Sequence, residues 1–179
     1  KIYISVFYKK EIIKSHFGDG KALNCSIEYL EENEPLGTAG CLSLIKDRSQ
    51  PIMMLNSDLV TTLDFQNLFK YHKKNNNSLT VSIREHTVHI PFGVFNLQSE
   101  KIKGLEEKPS KHFFINAGIY ILEPEILDLV QPNTFVDITD IIENLIVRNI
   151  EIGAFFIHEE WIDIGFPKQL QKARSEFKR

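Results

Sequence analysis

Short apolar runs alternate with amphipathic stretches along the first half of the chain. The β-branched run Ile2–Val6 predicts a buried strand. Over residues 8–17, Ile12, Ile13 and Phe17 share one helical face, and Gly18-Asp-Gly20 supplies the turn that stops it. A second strand is predicted over 26–30. Pro35-Leu-Gly-Thr-Ala-Gly40 reads as a tight turn feeding a helix through Leu42 and Ile45, with Thr38 at its N-cap. A third apolar run, Ile52–Leu55, ends in the polar turn Asn56-Ser-Asp58. Thr62 or Asp64 caps a helix over 65–72, Asn75-Asn-Asn77 is a loop, and residues 79–84 give a fourth strand. This strand–helix alternation predicts a mostly parallel sheet with helices on both faces.

The second half changes rhythm. Strands are predicted over 93–97, 102–106 and 113–122, at a spacing that implies a small antiparallel excursion. Pro124 opens a short helix to Val130, Asp137-Ile-Thr-Asp140 caps another through Arg148, and residues 151–157 form a late strand. Trp161-Ile-Asp-Ile-Gly165 reads as a turn, and Pro167 begins an amphipathic terminal helix to Arg179. With no repeat and no linker, residues 1–179 read as one domain of α/β, Rossmann-like architecture.

Composition narrows the classes. At net charge −3 and without a basic stripe, the chain offers nothing to a nucleic-acid backbone. Tyr71-His-Lys-Lys74 is the densest basic stretch and suits a helix end. The 13 Phe are scattered and read as core. Cys25 and Cys41 are too few for a disulfide framework and read as reduced and buried. No apolar run reaches the ~20 residues of a membrane span, and no signal peptide is visible, so a cytoplasmic protein is expected. The chain opens on Lys1 directly in a strand, which reads as a fragment or a processed product.

Ligands in open α/β sheets sit at the carboxyl ends of strands. Asp58 follows one strand and Asp163 another, each in a short polar turn flanked by apolar residues. Either aspartate fits a helix cap. Together they fit a hard cation such as Mg²⁺, which takes few protein oxygens and completes its shell with water and phosphates. Leu36-Gly-Thr-Ala-Gly40 lacks the Lys of a phosphate loop. It is a structural turn, or a place where backbone approaches a flat ligand. Leu105-Glu-Glu-Lys-Pro109 is an exposed charged turn, or a holder of sugar hydroxyls and phosphate. A buried Asn in Asn116-Ala-Gly118 needs partners, which a structural hydrogen bond or a sugar ring would supply.

Six motifs in order, Pro35-Leu-Gly-Thr-Ala-Gly40, Asn56-Ser-Asp58, Pro91-Phe-Gly93, Glu106-Glu-Lys-Pro109, Asn116-Ala-Gly-Ile-Tyr-Ile-Leu122 and Trp161-Ile-Asp-Ile-Gly165, span the chain. On them it resembles the sugar-1-phosphate nucleotidyltransferase family, closest to its mannose-1-phosphate guanylyltransferase-like branch. Within that branch it is similar to bacterial members with CBS-type regulatory modules ahead of the transferase domain. The resemblance implies a nucleotide-diphospho-sugar transferase fold. It implies transfer of a nucleoside monophosphate from an NTP to a hexose or hexosamine 1-phosphate, with release of pyrophosphate. Asp58 and Asp163 match the Mg²⁺ ligands and catalytic carboxylates, and Glu32, Gly37, Thr38 and Asp58 the nucleotide site. Gly93, Glu107, Lys108 and Asn116 match the sugar-phosphate site. Glu32, as an acceptor, suits the N1–H and amino group of guanine, which favours GTP over a uridine or thymidine nucleotide.

The chain also departs from the family. Ser57 stands where the family has Gly, and Phe92 where it has Tyr. The family's opening strand and glycine-rich loop, with the Arg and Lys that grip the triphosphate, have no counterpart in this sequence. The 179 residues alone are therefore expected to release no pyrophosphate, and an unfilled sheet edge is expected to drive self-association. Two other classes compete: a non-catalytic nucleotide-sugar-binding module of the same fold, and a glycosyltransferase, which the Glu-Glu-Lys-Pro and Asn-Ala-Gly segments disfavour.

Overall fold

The longest unbroken buried run among the described residues, 117–122, is the inner part of a long strand, and the other elements are arranged around it. The computed structural model describes residues 1–177. Its strands are β1 (Ile2–Val6), β2 (Ile27–Glu31), β3 (Ile52–Leu55), β4 (Leu59–Thr61), β5 (Leu79–His89), β6 (Val94–Gln98), β7 (Lys101–Glu106), β8 (Ser110–Leu122), β9 (Ile152–Phe156) and β10 (Trp161–Asp163). Its helices are α1 (Lys10–Phe17), α2 (Gly37–Gly40), α3 (Phe65–Asn75), α4 (Pro124–Leu127), α5 (Ile138–Val147) and α6 (Pro167–Glu176).

The central sheet has the order β3-β8-β5-β9. Strand β8 runs antiparallel to β3 and β5, and β5 runs parallel to β9. Strands β1 and β2 form a parallel pair, β4 and β10 an antiparallel one, and β6 and β7 a hairpin. Period-two alternation divides β8 between two cores. Tyr120 and Leu122 join Leu30, Leu42, Ile126, Ile141 and Leu145 on one face. Ala117, Ile119 and Ile121 join Leu63, Leu68 and Ile157 on the other. Covering both faces makes the run continuous rather than alternating.

Capping residues set the helix starts. Asp64, not Thr62, caps α3: its carboxylate accepts from the N–H groups of Gln66 and Asn67. Asp137 and Asp140 form a capping box on α5. Near the end of α3, His72 is fully buried, with Nδ1 2.8 Å from Thr80 Oγ1 and Nε2 3.1 Å from Glu123 Oε1. An ionised carboxylate only accepts, so Nε2 carries a proton and donates to Glu123. Lys73 donates to the same Glu123 oxygen, which fastens α3 to the end of β8.

The Tyr71-His-Lys-Lys74 stretch lies in the last turns of α3, as expected. Other expectations are corrected. Trp161–Asp163 is a strand rather than a turn, and it pairs with β4, which the pattern did not show. Three-residue strands are too short for a visible alternation. Thr38 lies inside α2 with Leu36 at the N-cap, and the helix expected through Leu42 and Ile45 breaks into α2 and a 3₁₀ turn, Cys41–Leu44. Eleven of the 13 Phe are exposed, and none belongs to the buried core. Among them, Phe92 lies in the loop before the β6–β7 hairpin, Phe95 on the hairpin, and Phe113 and Phe114 on the outer half of β8. Cys25 and Cys41 are free but half-buried. The terminal helix holds through Glu176; Lys178 and Arg179 lie outside the described residues. No described helix is long and apolar enough to cross a membrane.

Helix α1 is tied to β2 by Glu31, which accepts from Lys10 and Lys14. Lys10 first, then Lys14, pull its carboxyl down from an ordinary 4.5 to about 2. A depressed folded-state value stabilises the fold above the unfolded value and loses that stabilisation as pH falls through the folded one. Urea midpoints should therefore drop between pH 4.5 and about 2, and Glu31→Gln should flatten that slope. The pair is solvent-exposed, so the effect is small.

Candidate functional site

Strands β4 and β10 bring the two aspartates together. Asp163 lies opposite Leu59 in their ladder, and the N–H of Ile164 donates to the carbonyl of Asp58 at 2.7 Å. Both carboxylates converge on Gly165. A Cβ placed on that glycine would sit 3.0 Å from Asp163 Oδ1 and 3.3 Å from Asp58 Oδ2. The glycine leaves this space to the carboxylates, and its N–H donates to Asp163 Oδ1 at 2.8 Å. Two exposed carboxylates sharing one open point make an oxygen-only donor set of the kind a hard divalent cation accepts, with room for water and phosphate to complete the shell. They are two, not three: among the described residues no cluster of three or more His, Cys, Asp or Glu forms a metal centre.

The segment before Asp163 is held at three successive residues. Arg84 of β5 donates to the carbonyl of Glu159 at 2.7 Å. The Thr61 hydroxyl and the N–H of Thr62 donate to that of Glu160, and the Trp161 indole N–H donates to the carbonyl of Ala117 at 2.8 Å. Pattern reading missed Arg84, Thr61 and Trp161 because each acts through a partner distant in sequence.

Asn116-Ala-Gly118 forms a bulge on β8, where the register with β5 jumps from Val81↔Tyr120 to Ile83↔Asn116. Gly118 has φ +71°, and a Cβ there would meet the Asn56 side chain at 2.8 Å. Asn116 is exposed, contrary to the burial expected from its apolar strand. Its Oδ1 accepts from the Gly118 N–H and the Tyr120 hydroxyl. The structural hydrogen bond is thus present, and the amide nitrogen bonds no group among the described residues. Asn116 also borders an apolar groove lined by Val81, Ile83, Ile142, Ile146 and Ile152, which neither aspartate lines.

Gly93 and Glu107 are neighbours: a Cβ on the glycine would lie 3.0 Å from Glu107 Oε2. Lys108 is exposed in the turn between β7 and β8, at φ +47°. On the proposed nucleotide side, the half-buried Glu32 accepts from the Leu36 N–H at 3.0 Å and from the Ser5 hydroxyl. The face of Gly37 is walled by the Val136 carbonyl, 2.6 Å from where its Cβ would be. Thr38 bonds Asp137 through both its N–H and its hydroxyl, and its hydroxyl oxygen accepts from the Ile138 N–H. These contacts give the Leu36–Gly40 turn a structural role in seating α5. Nearby, burial pushes the Cys41 thiol up.

Comparison with known proteins adds the following. The nucleotidyl transferase family model matches residues 1–179. The chain is 33% identical over 158 residues to the probable mannose-1-phosphate guanylyltransferase 3 of Arabidopsis thaliana, covering 83% of this chain and 47% of that protein. It is 29% identical over 179 residues to the probable mannose-1-phosphate guanylyltransferase 1 of Oryza sativa subsp. japonica, covering 94% of this chain and 49% of that one. The chain spans about half the length of the curated relatives it matches. Its fold superposes with a TM-score of 0.74 on a putative glucose-1-phosphate thymidylyltransferase from Bacillus anthracis, at 24% identity, over 98% of this chain and 75% of that one. At that identity the likeness shows a shared fold.

Proposed function

The chain belongs to the nucleotidyl transferase family, and on that footing we propose that it contributes the metal and sugar-phosphate side of a sugar-1-phosphate nucleotidyltransferase. The reaction joins an NTP, GTP by preference, to a hexose or hexosamine 1-phosphate. A phosphate oxygen of the sugar forms a bond to the α-phosphorus, the α–β bridging bond breaks, and pyrophosphate leaves. The observation that carries this reading is the convergence of Asp58 and Asp163 on Gly165. Those carboxylates would hold Mg²⁺, which when bound neutralises phosphate charge and orients the reacting groups. Gly93 and the Glu107-Lys108 turn face each other across the open end of the β6–β7 hairpin, where Glu107 accepts from sugar hydroxyls and the exposed Lys108 attracts the phosphate. The amide nitrogen of Asn116 donates to the sugar.

Glu32 reads the guanine edge, with its rotamer preset by Ser5 and Leu36. Gly37 and Thr38 shape that wall from behind. Residues 1–179 act as one domain of a cytoplasmic enzyme. Among the described residues, strands β1 and β3 each pair on one side only, and such edges favour homo-oligomers. Names of the plant relatives point the same way on the base. Isothermal titration tests this: with Mg²⁺ present, GTP should bind more tightly than UTP, CTP or dTTP. Equal affinity for all four, or binding indifferent to Mg²⁺, would refute it.

A further inference from the structure

The two aspartate turns are tied to each other by a backbone hydrogen bond, and each is tied separately to the Asn116–Gly118 bulge of β8. From one side, the N–H of Asn56, two residues before Asp58, donates to the Gly118 carbonyl at 2.9 Å. From the other, the indole N–H of Trp161, two residues before Asp163, donates to the Ala117 carbonyl at 2.8 Å. Ala117 is fully buried, and the Trp161 ring packs with Ala117, Ile119 and Leu59 in the same apolar cluster. The bulge that offers these two carbonyls is itself fixed by Asn116 Oδ1, which accepts from the Gly118 N–H and the Tyr120 hydroxyl. Each aspartate therefore sits two residues from a hydrogen bond to the bulge.

We propose that Trp161 is a positioning residue: through its indole N–H on Ala117 it fastens β10 to the β8 bulge and so sets the separation of the Asp58 and Asp163 carboxylates. The inference rests on the metal-site reading above and adds a determinant to it. A ring of the same shape without the N–H would still fill the apolar space. It would leave a buried carbonyl without its donor and loosen β10 from the β8 bulge. The direct bridge between the turns, Ile164 N–H to Asp58 carbonyl, would then open more often.

Two replacements test this: Trp161→Phe, and substitution of Trp161 by the isosteric benzothienylalanine, which removes only the N–H. Two readouts are taken, hydrogen exchange of the Ile164 amide without metal, and Mn²⁺ affinity by titration. Both variants should exchange Ile164 about tenfold faster and bind Mn²⁺ about tenfold more weakly, the scale for outer partners of metal ligands. The benzothienyl variant should do so at nearly unchanged melting temperature. Wild-type exchange and wild-type Mn²⁺ affinity in that variant would overturn the proposal, leaving Trp161 a packing residue. Should the wild-type protein bind no Mn²⁺, the aspartate reading itself fails, and Ile164 exchange alone still decides whether the clamp exists.

Discussion

Asp58→Asn and Asp163→Asn should each weaken Mg²⁺-dependent GTP binding by at least about 100-fold. Outer partners of metal ligands already matter by roughly 10–100-fold, and these two residues are the carboxylates themselves. Both are exposed and neither holds a salt bridge among the described residues, so the fold should survive. The amide keeps the size of the carboxylate and removes its charge, which isolates the electrostatic part. Calorimetric titration of GTP with and without Mg²⁺ reads the effect, and thermal unfolding checks the fold. The pattern that matters is a loss confined to the Mg²⁺-dependent component at unchanged melting temperature. If either variant bound GTP as the parent does, that aspartate would be a turn residue and no more.

Gly118→Ala should be strongly destabilising, at about 3 kcal/mol. Left-handed backbone penalises a Cβ by roughly 1–2 kcal/mol, and forcing a methyl into a packed site adds about 1–3 kcal/mol. Gly118 has φ +71°, and the added atom would press on Asn56 at 2.8 Å and on Leu59 at 3.0 Å. For a chain of this size the melting temperature should fall by roughly 10 °C. Asn56 opens the Asn56–Asp58 turn, so displacing its side chain should weaken metal-dependent binding as well. Gly104→Ala is the control: a Cβ there would lie no closer than 3.5 Å to its neighbours, and its backbone is not left-handed. That variant should melt within about 2 °C of the parent. A Gly118→Ala protein as stable as this control would contradict the bulge geometry.

How far the chain could be read without coordinates depends on the range of each signal. The apolar run 117–122 announces a strand covered on both faces, and Asp64, Asp137 and Pro167 announce helix starts, because those effects act within a few residues. Asp58 and Asp163 can be singled out as polar turns after strands, yet nothing local shows that they meet. That depends on the β4–β10 ladder, built from two three-residue strands. Thr38 looks like a cap because Thr often is one, but its hydroxyl is engaged by the start of α5, a hundred residues away. Asn116 looks buried because its neighbours are apolar, while the bulge turns it outward. The phenylalanines mislead for a related reason: hydrophobicity says what a residue prefers, and only the tertiary layout says which positions go uncovered.

The central claim is that Asp58 and Asp163 together hold a cation, and Trp161 offers a direct view of it. It is the single tryptophan of the chain and lies two residues from Asp163. Tb³⁺, a hard cation that favours oxygen ligands, luminesces when a nearby indole passes its excitation across, so emission excited through tryptophan reports a cation at this place. Titrating Tb³⁺ should give saturable sensitised emission that Mg²⁺ displaces and that Asp58→Asn and Asp163→Asn each abolish. Emission that is absent in the parent protein, or that persists in both variants, would contradict the account.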